Sequence, residues 1–408
     1  MGISMRYYLS NDHQYVKGNT AGAVYDLKNE RIFHINQDAC RVLDGIIEDT
    51  VDDLPEGTAV FIEKLIKLGI VTEKLPFSEK PVECAPHLKY AWLELTEKCN
   101  MDCIHCYGEF GHPDSKEHKA YLTADEWKNI LLRLSTEGLK NVQFIGGEPL
   151  LYPQLSKLLK YAHELDISVD IFTNGYFINE SLIHVLKETS TKLRISLYGH
   201  NSNIHDNITH YKGSFSRIDR ALDLLKMNGV QASVAVVIMK ENEKYFQDIK
   251  QYVENKGFYF SYDVIRPVSC GHQSSHYITD VNILSDRFYT KPSFSVSREC
   301  FFQNKQWNSC WFGKLAITST GDILPCTFSR NLVCGNLKED DWKDIREKLL
   351  SYWKLTKDYV DGCCSCEYRY ACHDCRPLAI GTTGGIYDKY PRCCYEPLNG
   401  IWKELQLS

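Results

Sequence analysis

The chain has 408 residues, with 47 Lys and Arg against 53 Asp and Glu and a formal net charge of −6. This charge, and the lack of a basic run in the sequence, argue against a nucleic-acid partner. The first residues contain no apolar core of a signal peptide, and no apolar run is long enough to cross a bilayer. We therefore expect a cytoplasmic protein without a membrane partner.

Residues 1–80 are expected to form a small domain of their own. Polar and apolar residues alternate from Val16 to Asn36 around the sequence Asp-Leu-Lys-Asn-Glu, which predicts a β-hairpin. Helical spacing follows at 39–46 and 61–68, and then comes a short strand at 70–72. This order predicts a winged-helix-like module, followed by a linker over residues 74–81.

Strands and helices alternate along the next part of the chain. Thr123 and Glu126 form a capping box at the start of the clearest helix, and Gly138 stands where its C-cap belongs. The alternation predicts an α/β domain over residues 88–285 with a parallel sheet shaped as a partial barrel, whose chemistry lies at the C-terminal strand ends. The predicted strands are 91–95, 142–145, 168–173, 193–197, 232–238 and 260–265, and the predicted helices are 123–137, 154–165, 180–188, 215–228 and 242–255.

The 17 cysteines are unusually many and are clustered along the chain. Three lie within residues 99–106 and eleven within residues 300–394, whereas only Cys40, Cys84 and Cys270 stand apart. Such clustering favours metal or redox chemistry over a disulfide framework. Residues 295–408 also have few long periodic segments, so we expect metal, rather than a large apolar core, to hold them together.

The first cysteine cluster, Cys99-x3-Cys103-x2-Cys106, directly follows the first predicted strand. One interpretation is a structural zinc site that takes its fourth ligand from His105 or His112. The other is a 4Fe–4S cluster held by three thiolates, with one iron left open for a substrate or cofactor.

Four segments together resemble the radical S-adenosylmethionine (SAM) enzymes. They are the cysteine loop and three strand-end sequences: Gly-Gly-Glu-Pro at 146–149, Thr-Asn-Gly at 173–175 and Ser-Leu-Tyr-Gly at 196–199. The family usually has an aromatic residue before the third cysteine, where this chain has His105. The resemblance covers residues 88–270 and implies a partial (β/α)6 barrel.

The resemblance also implies cofactors and their ligands. Cys99, Cys103 and Cys106 would hold a 4Fe–4S cluster that reductively cleaves SAM to a 5′-deoxyadenosyl radical. The glycines would permit close backbone approach, and Glu148 would complement the ammonium of SAM. An ordinary tight turn at 146–147 and satisfied backbone groups at the strand ends are the alternatives. The residues expected to border SAM are Tyr107, Gly146, Gly147, Glu148, Pro149, Asn174, Ser196 and Arg266.

The second cysteine cluster resembles the SPASM extension of radical SAM enzymes, although two zinc knuckles would also fit. SPASM domains hold two auxiliary 4Fe–4S clusters. The resemblance implies that Cys310, Cys326 and Cys375 hold the first one, with Cys300, Cys334 or no protein residue as the fourth ligand. It assigns the second one to Cys363, Cys366 and Cys372 with Cys393 or Cys394. Cys375 departs from the usual pattern because two residues, not three, separate it from Cys372.

The N-terminal module resembles the leader-peptide recognition domain of enzymes that mature ribosomally made peptides, in which the leader adds as an edge strand. A plain scaffold domain is the alternative. Together these features resemble thioether-forming (sactipeptide or ranthipeptide) maturases, which implies a precursor peptide as substrate and a flavodoxin or ferredoxin as electron donor.

Other reactions stay open at this point. They are C–C or C–O cross-linking, epimerisation with Cys270, Cys300 or Cys334 returning a hydrogen atom, formylglycine formation in a sulfatase, and a metal scaffold without activity.

Overall fold

The computed structural model describes residues 6–50, 57–76, 83–110, 121–268, 276–278, 280–285 and 287–404. His112, Cys270 and much of the predicted linker lie outside these residues. Every described cysteine is a free thiol. None of the described helices combines the length and the apolar character that a membrane span needs.

The N-terminal module contains a three-stranded antiparallel sheet, a separate pair of short strands, and two helices. The predicted hairpin is confirmed, because its two strands pair around a turn at 27–30, and a preceding strand extends the sheet. Asn36 caps the first helix by accepting a hydrogen bond from Ala39 N. The elements are β1 (Tyr8–Leu9), β2 (His13–Lys17), β3 (Gly22–Asp26), β4 (Arg31–Ile35), α1 (Gln37–Glu48), α2 (Thr58–Lys67) and β5 (Val71–Thr72).

The two faces of this small sheet pack against different parts of the molecule. Val24 lies in an apolar cluster with side chains of α1 and α2. Val16 and Tyr25 lie in a second cluster with residues of the C-terminal region, and Tyr25 Oη donates a hydrogen bond to the Glu367 carbonyl at 2.7 Å. Since β3 is the central strand, β4 stands at an edge of this sheet.

An open sheet of nine strands forms the centre of the molecule. Its first six strands in chain order are parallel, and each lies beside its sequence neighbour, which confirms the predicted α/β fold and partial barrel. The strands are β6 (Tyr90–Glu94), β7 (Asn141–Ile145), β8 (Ser168–Thr173), β9 (Lys192–Ser196), β10 (Ala232–Ile238) and β11 (Tyr259–Val264).

Amphipathic helices between these strands bury their apolar faces against the sheet. The first of them begins with the predicted capping box at Thr123 and buries Trp127, Leu131 and Leu134. One helix, at 202–209, is absent from the sequence prediction because it is only eight residues long and largely polar. The helices are α3 (Ala124–Thr136), α4 (Leu155–Glu164), α5 (Glu180–Glu188), α6 (Ser202–Thr209), α7 (Ser214–Met227), α8 (Phe246–Asn255) and α9 (Val281–Ser285).

The C-terminal region continues the central sheet. Its first strand pairs in parallel with β6, and two further strands add antiparallel. Trp311, Leu315, Leu349 and Trp353 belong to the same apolar core as the barrel strands, so the expectation that this region lacks a large apolar core is wrong for its first half. The elements are α10 (Arg298–Gln306), β12 (Lys314–Ile317), β13 (Asp322–Leu324), β14 (Gly335–Asn336), α11 (Trp342–Trp353), α12 (Arg376–Thr383), β15 (Tyr395–Glu396) and β16 (Ile401–Trp402).

Candidate active site

The loop that carries Cys99, Cys103 and Cys106 lies at the C-terminal end of β6, where a parallel sheet presents its functional residues. The end of α6 holds its middle part in place. Asp102 N donates to Thr209 O, and Ile104 N donates to Ile208 O, each at 3.1 Å. The helix that the sequence pattern did not reveal therefore fixes the cysteine loop.

The three cysteines of this loop are half-buried and interact with one another. Burial raises the pKa of Cys99 to about 12, and it raises the pKa values of Cys103 and Cys106 as well. Each of these thiols also feels at least one acidic group that opposes its ionisation, and Cys103 feels both of the other thiols. Thiolates in such a place need a cationic partner to offset their burial.

This donor set fits an iron–sulfur cluster. Within the described ranges, no three His, Cys, Asp or Glu side chains converge as the ligands of one metal ion would. In a cubane cluster each thiolate binds its own iron, so the ligands need not meet at one point. Cys99, Cys103 and Cys106 would hold three irons of such a cluster.

Gly146 and Gly147 let the segment after β7 pack closely against the backbone that leads into the cysteine loop. Gly147 N donates to Thr96 O and Glu148 N donates to Lys98 O, each at 2.8 Å. A Cβ atom on Gly146 would lie 2.3 Å from Thr96 O, and one on Gly147 would lie 2.4 Å from Lys98 O. Only glycine permits this approach, so the pair holds the backbone that leads into Cys99.

Glu148 joins the ends of β7 and β8. Its side chain is buried, and its oxygens accept hydrogen bonds from Thr173 Oγ1 at 2.6 Å, Asn174 N at 2.8 Å and Leu150 N at 2.9 Å. Burial raises the pKa of this carboxyl to about 7, although the three hydrogen bonds oppose the rise. The carboxyl group thus supports the strand ends, and its contact with the ammonium of SAM stays a prediction.

Asn174 extends this support to the cysteine loop, because its Nδ2 donates to Asn100 Oδ1 at 2.9 Å. Pro149 begins a turn at 149–151 directly after Glu148. Ser196 is the buried last residue of β9. These predicted SAM neighbours therefore all lie at the strand ends that face the cysteine loop.

His105 is an uncharged ring in a stack of buried side chains. Its ring meets the ring of Tyr198 edge-on with centroids 4.4 Å apart, and Tyr198 stacks on His205 at 5.5 Å. Burial, together with the nearby His205 and His276, lowers the pKa of His105 to about 3. The imidazole thus stands where an aromatic residue usually precedes the third cysteine, and it packs against the Tyr198 ring.

Tyr107, on the other side of Cys106, points towards the C-terminal region. Its ring meets Phe328 edge-on at 5.3 Å. Burial raises the pKa of its hydroxyl, which lies near the ion pair of Glu94 and Arg330. That pair joins the end of β6 to the segment after Cys326, with 2.6 Å between Arg330 Nη1 and Glu94 Oε1.

Arg266 lies at the C-terminal cysteines. Its guanidinium group pairs with Asp263 at 2.6 Å, lies over the Phe328 ring at 4.8 Å, and donates to Cys375 Sγ at 3.5 Å. The contacts of Tyr107, Phe328 and Arg266 therefore connect Cys106 with Cys375 through packed side chains. A contact between Arg266 and SAM stays a prediction.

Cys310, Cys326 and Cys375 form one group, which is the set that the resemblance to SPASM domains implies. Cys310 and Cys375 are hydrogen-bonded, and Cys326 interacts electrostatically with both. The hydrogen bond with Cys310 and the charge of Arg266 lower the pKa of Cys375 to about 6, whereas burial raises the pKa of Cys326 to about 11.

The two candidates for a fourth ligand lie elsewhere. Cys334 is packed in the apolar core under α11, and its thiol is influenced only by burial and Lys348. Cys300 is exposed on α10, where its neighbour is Lys89. Neither contact supports a ligand role for Cys334 or Cys300 in this group.

Cys363, Cys366, Cys372 and Cys393 form the other group. Burial, reinforced by the nearby Cys372, raises the pKa values of Cys363 to about 12 and of Cys393 to about 11. Cys394 is shifted only by burial and Lys389. The structure thus brings Cys393, and not Cys394, to the set of four thiols.

The sequence analysis missed two groups of this site. Lys357 is buried among the second set of thiols and donates a hydrogen bond to Cys372 Sγ, yet nothing in its sequence context marks it. The other group is the ion pair of Glu94 and Arg330. A visible signal for it is that Glu94 is a charged residue between Leu93 and Leu95, in an otherwise apolar strand next to the cysteine loop.

Comparisons with known proteins agree with this arrangement. Residues 93–253 match the model of the Radical SAM superfamily, and residues 310–376 match that of the SPASM iron–sulfur cluster-binding domain. The AdoMet-dependent heme synthase of Oleidesulfovibrio alaskensis is 24% identical over 75% of this chain and 87% of its own. AlbA of Bacillus subtilis, an antilisterial bacteriocin subtilosin biosynthesis protein, is 25% identical over 75% of this chain and 70% of its own.

Among solved structures, SuiB of Streptococcus suis bound to S-adenosylmethionine has the same fold. It has a TM-score of 0.60 and 17% identity, and the match covers 94% of this chain and 99% of SuiB. A second structure shows SuiB bound to the precursor peptide SuiA, with a TM-score of 0.55, 17% identity, and coverage of 95% of this chain and 98% of SuiB.

Proposed function

We propose that this chain, a radical SAM enzyme with a SPASM domain and with 4Fe–4S clusters and SAM as its cofactors, modifies a ribosomally made precursor peptide by forming cysteine thioether cross-links. The observation that carries the proposal is the group of three cysteines, Cys310, Cys326 and Cys375. Among the described cysteines, neither Cys300 nor Cys334 approaches it. A cluster held by three protein thiolates has one iron free for a cysteine of the substrate.

The reaction balances without a further oxidant. When bound, SAM and the clusters supply hydrogen-atom abstraction and the exchange of one electron. A peptide carbon would give up a hydrogen atom to the nucleoside part of SAM, and the peptide thiol would lose a proton. The electron spent on SAM would be recovered when the C–S bond forms, so a flavodoxin or ferredoxin would be needed only to start the cycle.

The residues of this chain position the reacting groups. Gly146 and Gly147 fix the backbone before Cys99, and the rings of His105 and Tyr198 pack beside the cysteine loop. The contacts from Tyr107 through Phe328 and Arg266 to Cys375 support a first auxiliary cluster close to that loop. A peptide cysteine bound at the first auxiliary group would thus lie near the carbon from which hydrogen is taken.

The N-terminal module supports a peptide as substrate. Its strand β4 is an edge strand, and the side chains of Arg31, Phe33 and His34 are exposed. An extended leader can add to such an edge through main-chain hydrogen bonds. The solved SuiB chain shares the fold over nearly the whole length of this chain, module included, and SuiB is known with a precursor peptide.

The free thiols suit a reducing compartment, so we place the reaction in the cytoplasm.

C–C or C–O cross-linking, epimerisation and formylglycine formation use the same cofactors, and they differ in whether a peptide thiol is consumed.

A second candidate function is the modification of a tetrapyrrole. The similarity to AdoMet-dependent heme synthases favours it. Such an activity gives no role to the exposed edge of β4, and this is why we rank it second.

Mass spectrometry of a peptide product tests the proposal. The purified chain, reconstituted without oxygen, is incubated with SAM, dithionite and a short cysteine-containing peptide encoded beside its gene. We expect 5′-deoxyadenosine, a peptide lighter by two hydrogens per cross-link, and loss of cysteine alkylation by iodoacetamide. An unchanged peptide together with turnover of an iron-coproporphyrin would support the second candidate instead. A two-hydrogen loss with all thiols still alkylated would replace the thioether by a C–C or C–O cross-link.

A further inference from the structure

Lys357 is a buried cation among the second group of cysteines. Its side chain is 4% exposed, and it stands in a short turn, Lys357–Tyr359, that leads into Cys363. Its Nζ donates hydrogen bonds to Cys372 Sγ and, at 3.3 Å, to the His373 carbonyl. The ammonium group therefore contacts one of the four thiols directly.

The charge of Lys357 has no carboxylate partner within ion-pair distance in the part of the chain that the structure describes. Asp374 is a carboxylate that interacts electrostatically with Lys357. Its charge is already paired with Arg376, at 2.7 Å from Nε to Oδ2 and 2.8 Å from Nη2 to Oδ1. A buried ammonium without an anion is costly. Thiolates at Cys363 and Cys372 would supply that anion, and a cluster held by four thiolates is negatively charged.

The first auxiliary group differs in this respect. The cation that contacts its Cys375 is Arg266, and the charge of Arg266 is shared with Asp263 in a 2.6 Å ion pair. Asp263 also forms an ion pair with Arg392, at 3.4 Å from Nη1 to Oδ1. A cation that is already paired stabilises extra negative charge on a neighbour less than an unpaired one does.

We propose that Lys357 sets the reduction potential of the second auxiliary cluster, by donating a hydrogen bond from its ammonium group to Cys372 Sγ. Hydrogen bonds to the sulfurs and net charge are the means by which proteins tune such clusters. One-electron reduction adds a negative charge next to the ammonium, so Lys357 makes this cluster easier to reduce. The inference rests on the assignment of Cys363, Cys366, Cys372 and Cys393 as its ligands.

Three substitutions test this role in the full chain. Lys357→Met keeps the size of the side chain and removes its charge and donor. Lys357→Arg keeps both. Lys354→Met removes an exposed lysine three residues earlier and serves as the matched control. Each is made in a chain that also carries Ala at positions 99, 103 and 106, so that the auxiliary clusters alone are observed.

The readout is an anaerobic redox titration of the reconstituted chain followed by electron paramagnetic resonance. At a fixed potential near the midpoint, we expect Lys357→Met to lower the reduced-to-oxidised ratio of the second auxiliary cluster about tenfold, which is a shift of about 59 mV for a one-electron couple. The first auxiliary cluster, Lys357→Arg and Lys354→Met should keep the original ratios.

Each outcome decides the matter. An unchanged ratio in Lys357→Met with full iron content would overturn the proposal, and so would equal shifts in Lys357→Met and Lys357→Arg. Loss of about four irons in Lys357→Met but not in Lys357→Arg would also overturn it, because the charge would then hold the cluster rather than set its potential. If the unsubstituted chain binds no second auxiliary cluster, the ligand assignment and this proposal both fail, whereas the proposed function, which rests on Cys310, Cys326 and Cys375, does not.

Discussion

The two cysteine regions of this chain are built in opposite ways. The loop at 99–106 has its three proposed ligands within eight consecutive residues, and backbone hydrogen bonds with Gly147, Glu148 and α6 fix it to the barrel. The C-terminal groups draw their proposed ligands from a long stretch, Cys310 to Cys393, and each group includes a cation, the half-buried Arg266 or the buried Lys357.

This difference separates two tasks. A local loop on a rigid sheet can lack a fourth ligand and keep its shape, because the backbone and not the metal determines the shape. Metal that is bound by residues far apart in the sequence cross-links those segments, so it helps to fold the region. We therefore expect metal loss from the first loop to stop chemistry, and metal loss from the C-terminal groups to loosen structure as well.

The largest effect should come from Cys99→Ala. This change removes one of three ligands of the loop, so we expect 5′-deoxyadenosine formation to fall more than a thousandfold while the iron content drops from about twelve to about eight per chain. Chromatography of the nucleoside and iron analysis measure the two quantities. Cys364→Ala, at an exposed cysteine, is the control. Continued SAM cleavage by Cys99→Ala would refute the ligand assignment of the loop.

Cys393→Ser and Cys394→Ser compare two neighbouring cysteines in the C-terminal region. We expect Cys393→Ser to lose about four irons and to lower the thermal midpoint by several degrees, because a metal cross-link between distant segments is lost. Cys394→Ser should resemble the unsubstituted chain, since the Cys394 thiol lies apart from Cys363, Cys366 and Cys372. Calorimetry and iron analysis without oxygen distinguish them, and a reversed order of effects would exchange the two ligand roles.

Gly146→Ala tests whether the backbone holds the first loop. Its φ is +138°, and an added Cβ would lie 2.3 Å from Thr96 O, so we expect a loss of about 2–4 kcal/mol in unfolding free energy and at least tenfold slower SAM cleavage.

The matched control for Gly146→Ala is Gly138→Ala. Gly138 also has a positive φ, +86°, but an added Cβ there meets no atom within 4 Å. Its cost should be only about 1 kcal/mol. Denaturant unfolding gives both values, and equal costs would mean that the contact with Thr96 is unimportant.

Phe33→Asp tests the module without removing it. Deleting the module would expose its contacts with the C-terminal region, such as Tyr25 with Phe301, whereas a charge on β4 disturbs only an exposed edge. We expect about tenfold weaker binding of the cognate leader, or about 1.4 kcal/mol, with unchanged SAM cleavage.

Val60→Asp makes the same kind of change on an exposed face of α2 and should leave leader affinity intact. Fluorescence anisotropy of a labelled leader measures both variants. Equal affinities for all three chains would exclude β4 as the binding edge.

The sequence predicts the barrel well because its signals are local. The strands at 168–173 and 232–238 and the helix at 180–188 form at the predicted residues, and the other predicted barrel elements differ by at most four residues at either end. Apolar periodicity, caps and glycines act within a few residues, so a single sequence reveals them.

What the sequence does not predict depends on distant contacts. Strand β12 pairs with β6 although more than two hundred residues separate them in the sequence, and no local pattern predicts that pairing. Cys393 and Cys394 are adjacent in an extended segment, where neighbouring side chains point to opposite sides, so spacing alone cannot choose between them. The position of Lys357 among the thiols depends on the fold in the same way.

The hydrogen bond from Tyr25 to the carbonyl of Glu367 joins the module to the residue that follows Cys366. Loss of metal from that region would loosen this anchor and, with it, the module whose edge strand we propose as the leader site. On that proposal, metal loading would control substrate capture: a chain without its clusters would hold precursor only weakly.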